Sequence, residues 1–446
     1  MSVIHAKEVF HPTAFLNRQS LSLRPDPARV VVRPFKLATE PREQNQTDKT
    51  RVNRIVDRVQ ALDPESTSRQ LAEVLENFQG RHRNLLATFE ARADDMERAF
   101  YAHSAFTKTQ RQLIGAYFVH EYSFEAAALF NPSIVAHPDQ TGVPGGACRF
   151  ILSLRAVGEG HVSSLTFRSG LIAADGSVAV AETSRLASIP RLQQHRLPGT
   201  AGDWIDVVFQ SEEDISERVI FPITEAQSNG IEDARFVEFH DSGTKIFYAT
   251  YTAYSGRSIR SELIETTDFV SFRMTPLKGA AARNKGMALF PRKINGKYAM
   301  IGRQDNENLY LIYSDDLYSW GEGVPFLKPQ FPWEFVQIGN CGSPIELDQG
   351  WLLLTHGVGP VRKYSIGAAL LDKVDPSKVL ARSSEPLLRP EPSEREGYVP
   401  NVVYTCGALR HNNRIILPYA VSDSYSNFAT IEISALMSAL FPKAKA

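Results

Sequence analysis

Apolar positions along the chain follow two different periods. From about 48 to 120 they recur at helical spacing. Leu71, Val74, Leu75 and Phe78 stand at i, i+3, i+4 and i+7, one face of a helix. Ser66, just after Pro64, is placed to cap that helix. Gly80 marks a break, Leu85, Leu86 and Phe89 open a second stripe, and Leu113, Ile114, Tyr117 and Phe118 a third. Residues 1–44 are proline-rich and irregular, apart from the β-branched run Val30, Val31 and Val32 between Arg29 and Arg33. This part of the chain reads as a helical layer packed on the main domain. Its functional alternatives are an oligomer interface and a wall of the active site.

After Phe130 the period changes to short β-rich runs broken by Gly, Asp, Asn and Ser. A loose unit of strand, polar loop and strand recurs, with copies beginning near 149, 245, 297, 351 and 414. The spacings are 96, 52, 54 and 63 residues, and the first is long because 171–230 carry an insertion. One small sheet cannot bury both faces alone, so a repeat of this length predicts stacked blades. The expected fold class is all-β: a five-bladed β-propeller over 123–446, with an irregular and helical N-terminal extension over 1–122. The rival, a two-sheet sandwich, predicts shorter and more even strand spacing.

Composition narrows the function classes. Lys plus Arg number 49 and Asp plus Glu 50 in 446 residues, a net charge of −1. A nucleic-acid partner needs a basic face, and nothing in this balance supplies one globally. No run approaches eighteen apolar residues, so no membrane helix is expected. The start, residues 1–15, has no basic stretch followed by an apolar core, so no signal peptide is expected. Three widely spaced cysteines, Cys148, Cys341 and Cys406, suit reduced thiols and a cytoplasmic setting. There is no P-loop, no H-E-x-x-H, no C-x-x-C and no G-x-S-x-G elbow, so neither a metal site nor an organic cofactor is implied.

The polar loops supply the candidate chemistry. In Gly230–Phe236, two acids are adjacent; at a side-chain period of two, Asp233 and Arg235 share a face and Glu232 lies on the other. That pattern fits a structural Asp–Arg pair, or a proton donor in a polar funnel. Lys285, Arg303 and His356 come from neighbouring repeats, each near a strand end. They are either three solvated charges or, brought to one axis, a cationic pocket.

Six segments resemble glycoside hydrolase family 130 in order and approximate spacing: FNPS (130–133), GIEDAR (230–235), ALFPRKINGKYAM (288–300), THGV (355–358), EREGYVPNVVYTCG (394–407) and PYAVSD (418–423). The resemblance covers roughly 125–436. It implies a five-bladed β-propeller acting on β-mannosides with inversion, most members being phosphorylases and some β-1,2-mannosidases. It implies that Asp233 is the acid, that Lys285, Arg303 and His356 bind phosphate, and that Asn131, Arg155 and Asp423 bind sugar. The chain departs from the family at Ala234, in place of Pro, at Gly286, where many phosphorylases have Asp, and at Tyr398, where they have Asp. The last two bear on the acceptor sugar.

An inverting hydrolase needs a carboxylate base to activate water. A phosphorylase needs cations there instead, because phosphate carries about −1.5 to −2 charge near neutral pH. Each unit-charge contact at ~4 Å contributes ~4 kcal/mol at an effective dielectric of ~20, before desolvation. All three mapped positions are basic or potentially basic, which favours phosphorolysis of a mannose-containing oligosaccharide, with inorganic phosphate as co-substrate. Glu262, Glu265, Glu307 and Glu334 are the candidate bases for a β-1,2-mannosidase, and a non-catalytic glycan-binding propeller is the remaining class. The helical segment leaves a homo-oligomer open.

Overall fold

The computed structural model describes residues 16–38, 50–100, 105–195 and 203–441. The opening residues 1–15, and the part of the proline-rich stretch over 39–44, lie outside them. The fold is mostly β. The chain divides into two compact units: Pro27–Phe124 with Ser184–Ser188, and a larger one holding residues up to Asp26, Glu125–Thr183 and Ile189 onward. The N-terminal segment is therefore not all extension, as the 122/123 boundary had it. Strand β1 (Leu16–Leu23) pairs antiparallel with the last strand of the chain, Leu16 opposite Ile431. Its residues are polar in alternation and carry no proline, so an edge strand satisfies their backbone.

The smaller unit holds β2 (Val30–Pro34), α1 (Arg51–Gln60), α2 (Pro64–Phe78), α3 (Leu85–Phe100), α4 (Lys108–Tyr117) and β3 (Val119–Ser123). The β-branched run pairs with β3, Val31 opposite Tyr122. The cap of α2 is Asp63, not Ser66. The Ser66 N–H donates to Asp63 Oδ1 at 2.8 Å, and Pro64 takes the first helical position, where a missing N–H costs nothing. The apolar stripes are narrower than their spacing suggested. Leu71, Leu85, Phe89, Leu113 and Ile114 are buried, whereas Phe78, Leu86 and Tyr117 are exposed.

In the larger unit each sequence repeat is an antiparallel hairpin at the centre of a sheet. The first comprises β4 (Ala128–Ala136), β5 (Cys148–Val157), β6 (Ser163–Ile172) and β7 (Val178–Val180). The insertion supplies β8 (Arg191–His195), β9 (Trp204–Val208) and β10 (Val219–Ile220). The second repeat follows as β11 (Gly230–Asp241), β12 (Thr244–Tyr254), β13 (Ile259–Thr266) and β14 (Ser271–Pro276), and β9 extends it at the β14 edge. The third is β15 (Ala288–Leu289), β16 (Tyr298–Gly302), β17 (Leu309–Ser314) and β18 (Val324–Leu327). The fourth is β19 (Gln337–Asn340), β20 (Ile345–Leu347), β21 (Gly350–Val358), β22 (Tyr364–Leu371) and β23 (Val379–Arg382). The fifth is β24 (Val403–Tyr404), β25 (Leu409–His411), β26 (Arg414–Val421) and β27 (Tyr425–Glu432), closed by α5 (Ile433–Leu440).

Successive repeats are hydrogen-bonded. A single parallel pairing, Gly230 with Ser163, joins the first two into one sheet. Thr250 Oγ1 donates to the Met287 carbonyl, the Ile338 N–H to the Glu307 carbonyl at 3.0 Å, and the Tyr364 N–H to the Asn401 carbonyl at 3.1 Å. The fifth repeat reaches the first: the Leu129 N–H donates to the Ser424 carbonyl at 3.0 Å, and the Cys406 N–H to the Pro132 carbonyl at 2.8 Å. Apolar residues fill the spaces between sheets, among them Phe290, Ile301, Leu311, Ile338, Trp351 and Leu353 between the third and fourth repeats. No helix among the described residues is long and apolar enough to cross a membrane.

Leu16 is buried in the core shared with Leu417, Ala429 and Ile431. Leu16→Ala should destabilise the protein by about 2–4 kcal/mol, while Ser20→Ala on the exposed side should stay within ~0.5 kcal/mol. Denaturant titration reads both, and equal effects would mean that β1 does not hold the last sheet.

Candidate active site

Two strand irregularities build the site. The β4–β5 ladder shifts register between Phe130 and Ser133, and the β11–β12 ladder between Glu232 and Arg235. At these bulges Asn131 and Asp233 take left-handed backbone, with φ of +50° and +55°. Asn and Asp tolerate that conformation better than most residues, and a bulge re-aims the side chain it carries. The bulge also overturns the period-two expectation. Glu232 and Asp233 do not face opposite ways: Arg155 donates to Glu232 Oε1 at 2.5 Å and to Asp233 Oδ1 at 3.2 Å. Arg155 is itself set by a bond to Ser163 Oγ at 2.9 Å and lies over the Phe130 ring. Asn131 Nδ2 donates to the same Asp233 oxygen at 2.6 Å. Asp423 also has left-handed backbone, at φ +51°.

These residues line a cavity of about 270 Å³ to which all five repeats contribute. Asn131 and Arg155 come from the first, Asp233 and Arg235 from the second, Lys285 and Arg303 from the third, His356 and Tyr364 from the fourth, Tyr404 and Asp423 from the fifth. The seven positions named from sequence thus meet in one place. Glu262, Glu265, Glu307 and Glu334 do not line it. Glu262 is tied to Arg260, Tyr251 and Gln227, Glu265 to Tyr318 and Arg273, and Glu334 to Arg382. Each is committed elsewhere.

Arg235 also lines the cavity, which the sequence pattern does not reveal. The alternation suggests a pairing with the Asp233 carboxylate; instead it donates to the Asp233 carbonyl at 3.0 Å and to the Tyr404 hydroxyl at 2.7 Å. Arg362, Gln337, Tyr364 and Tyr404 were also missed. Arg362 follows Val361 in a left-handed turn, φ +54° and +57°, and no motif announces it. Gly286 lines the cavity with φ +93°, a conformation that favours glycine over the Asp of many phosphorylases.

Electrostatics separate the groups. Burial opposes ionisation of Asp233, but Arg155, Arg235 and Lys285 outweigh it and hold the carboxyl at about 2. Burial, then the neighbouring Asp233 charge, pushes Asp423 up to about 6. His356 falls well below its ordinary value through burial and the Arg303 and Arg235 charges, so it is a neutral imidazole rather than the third cation. Its ring stacks on Tyr364 and meets Tyr404 edge-on, with centroids 5.8 and 4.8 Å away. Gly339 opposite leaves the room: a Cβ there would lie 2.2 Å from the imidazole. Among the described residues His356 Nδ1 and Arg303 Nε have no hydrogen-bond partner, and neither Lys285 nor Arg303 is ion-paired. An unpartnered guanidinium N–H beside an unpartnered imidazole nitrogen, in a buried wall, suits an oxyanion. No cluster of metal-ligating side chains occurs among the described residues.

A family profile described as β-1,4-mannooligosaccharide phosphorylase matches residues 207–441, more than half of the chain. The chain belongs to glycoside hydrolase family 130. Among curated relatives of this family member, a 1,2-β-oligomannan phosphorylase of Thermoanaerobacter sp. (strain X514) is 37% identical over 217 residues, 47% of this chain and 71% of its own. A β-1,2-mannobiose phosphorylase of Listeria innocua is 32% identical over 234 residues, 51% of this chain and 64% of its own. The solved complex of β-1,2-mannobiose phosphorylase from Listeria innocua with β-1,2-mannobiose superposes with a TM-score of 0.52 at 22% identity, over 70% of this chain and 92% of that one. That likeness establishes a shared fold.

The raised Asp423 carboxyl has a consequence for stability. The native state binds this proton more tightly than the unfolded chain does. The group's contribution to stability is therefore complete below its unfolded value near 3.8 and is lost as pH rises through about 6. Asp423→Asn should stabilise the protein at pH 8 by roughly 1–3 kcal/mol and have little effect at pH 4. Thermal melts at the two pH values check this; a pH-independent difference would mean that the carboxylate carries no burial cost.

Proposed function

We propose that this family member is an inverting β-mannoside phosphorylase. It cleaves β-mannosides, with β-1,2-linked manno-oligosaccharides the favoured class, using inorganic phosphate and yielding α-mannose 1-phosphate. The observation that carries this reading is the wall of Lys285, Arg303 and His356, free of any paired carboxylate, in the same cavity as the buried Asp233. The linkage comes from the two relatives named for β-1,2-mannan and β-1,2-mannobiose. We also read the five repeats as the blades of a five-bladed propeller. The hydrogen bonds from each repeat to the next and from the fifth to the first support it, as does β1 joining the last sheet.

In the proposed reaction Asn131, Arg155 and Asp423 hold the nonreducing-end mannose. A phosphate oxygen, positioned by Lys285, Arg303 and His356, forms a bond to the anomeric carbon as the glycosidic C–O bond breaks. The leaving oxygen takes a proton governed by Asp233, directly or through a sugar hydroxyl. Phosphate entering as HPO₄²⁻ leaves as a monoester dianion, so its proton is the one that the leaving alcohol gains. At about 2, Asp233 is protonated in the empty site in only roughly one molecule in 10⁵ at pH 7. Bound phosphate opposes that ionisation by adding negative charge and offsetting the Lys285 and Arg303 fields. Phosphate thus arms the acid as well as attacking. His356, neutral, serves as an N–H donor to the anion at no cost in charge burial. Hydrolysis would need a carboxylate base on this wall, and none of the four glutamates considered lines it.

Incubating β-1,2-mannobiose with and without phosphate tests the reading directly. Mannose 1-phosphate should form only with phosphate; free mannose at a rate indifferent to phosphate would overturn phosphorolysis in favour of hydrolysis. Asp233→Asn should lower kcat on the mannoside by about 10²–10⁴. An aryl mannoside whose leaving group needs no proton should recover most of that loss. A variant equally slow on both would remove Asp233 from the acid role. Arg303→Glu should raise the KM for phosphate beyond the measurable range, since the contact changes sign.

A further inference from the structure

Outside the cavity proper, two exposed aromatic rings stand stacked on its rim. His161 and Tyr398 have ring centroids 5.6 Å apart and planes 29° from parallel. Tyr398 is 63% exposed, unlike the buried Tyr419 and Tyr251. Both rings are set by backbone rather than left to wander. His161 follows Gly160 in the β5–β6 turn, with left-handed φ of +58° after +70°. The Tyr398 N–H donates to Ser424 Oγ at 2.9 Å, one residue after Asp423, and the next residue, Val399, lines the cavity.

The two connections place the pair on a particular side. The β5–β6 turn springs from the strands that carry Arg155, which bonds Asp233, and Ser163, which holds Arg155. Tyr398 is anchored beside Asp423. The rings therefore belong to the rim of the Asp233, Arg155 and Asp423 wall, not to that of Lys285, Arg303 and His356. In the proposed reaction, Asp233 serves the oxygen of the leaving sugar, so the leaving sugar emerges on this side.

We propose that Tyr398 and His161 form a stacking platform for the acceptor sugar, the pyranose that leaves in cleavage and attacks in synthesis. This rests on the phosphorylase reading of the site. A pyranose presents an apolar C–H face, and a Tyr ring offers a rigid, amphipathic partner at small entropic cost. His161 stacks on one face of the Tyr398 ring and holds it in place, and the exposed remainder of that ring is a surface of pyranose size, which favours a sugar over a small alcohol.

The test uses the full chain in the synthetic direction, with mannose 1-phosphate as donor and mannose or β-1,2-mannobiose as acceptor. Tyr398→Ala should raise the acceptor KM about three- to tenfold, leaving the KM for mannose 1-phosphate unchanged. Tyr398→Phe keeps the ring and loses only the long 3.5 Å contact of the hydroxyl with His161 Nδ1, so its acceptor KM should stay within about twofold of wild type, and His161→Ala should give a smaller rise than Tyr398→Ala. An unchanged acceptor KM in Tyr398→Ala, or an equal rise for the donor, overturns the platform. In parallel, calorimetry of β-1,2-mannotriose binding should show weaker affinity for Tyr398→Ala than for wild type. A wild-type protein that neither makes nor consumes mannose 1-phosphate overturns the phosphorylase reading instead; unchanged mannotriose affinity then overturns the platform separately.

Discussion

The constraint on which the site depends is the ionised Asp233 carboxylate, held in a buried position by Arg155 and Asn131. A lone carboxylate at that depth would stay protonated. Here Arg155 contacts it directly, Arg235 and Lys285 add their fields, and the carboxyl sits at about 2. Burial, reinforced by that charge, raises its neighbour Asp423 to about 6. Two carboxyls in one cavity thus have widely separated affinities for a proton. One is firmly ionised in the absence of ligand, and the other gains its proton about one pH unit below neutrality. Pairs pushed apart in this way mark sites built for proton transfer rather than for stability alone.

The backbone is distorted where this charge is placed. Asn131, Asp233 and Asp423 all have positive φ, and two of the three lie at register shifts in their ladders. A regular strand would send Glu232 and Asp233 to opposite faces of the sheet and leave Arg155 one carboxylate partner. The bulge turns both toward Arg155. Strain of this kind persists only where the surroundings over-determine it. The surroundings here are the pleated strands of the repeats, whose cores are packed with Phe, Ile, Leu and Trp side chains. The rigid β scaffold and the irregular site are therefore two parts of one arrangement.

Much of this was legible in the chain, for physical reasons that also explain what was not. Hydrophobic alternation and repeat length report on burial, so the hairpins beginning near 245, 297, 351 and 414 sit where the pattern put them. Polar residue types in the loops report on chemistry, so Asp233, Lys285, Arg303, His356, Asn131, Arg155 and Asp423 meet in the cavity. Left-handed kinks leave only a weak trace, since Asn and Asp are common in ordinary turns, and the bulge at Asp233 was read as plain alternation. Edge pairing leaves less still. Nothing in Leu16–Leu23 names β27 as its partner, some 400 residues away in sequence. Protonation is least visible, because it depends on what surrounds the ring. His356 looked like a cation and is a buried neutral imidazole. Arg235 looked like the partner of an acid and is bonded to its carbonyl and to Tyr404.

The neutrality of His356 bears on the proposed preference of this wall for phosphate over water. Three full cations in a small cavity would repel each other, and the cost would fall on the empty enzyme. With His356 uncharged, Lys285 and Arg303 supply two formal charges, close to the charge of a phosphate dianion. The imidazole adds a directed hydrogen bond without adding to the repulsion, and Gly339 gives it the space to do so. Water brings no charge to balance those cations and would still need a base to lose its proton. Phosphate brings both the charge and the proton. In the proposed reaction a single ligand neutralises the wall, raises the proton affinity of Asp233, and attacks the sugar, so binding and activation are the same event.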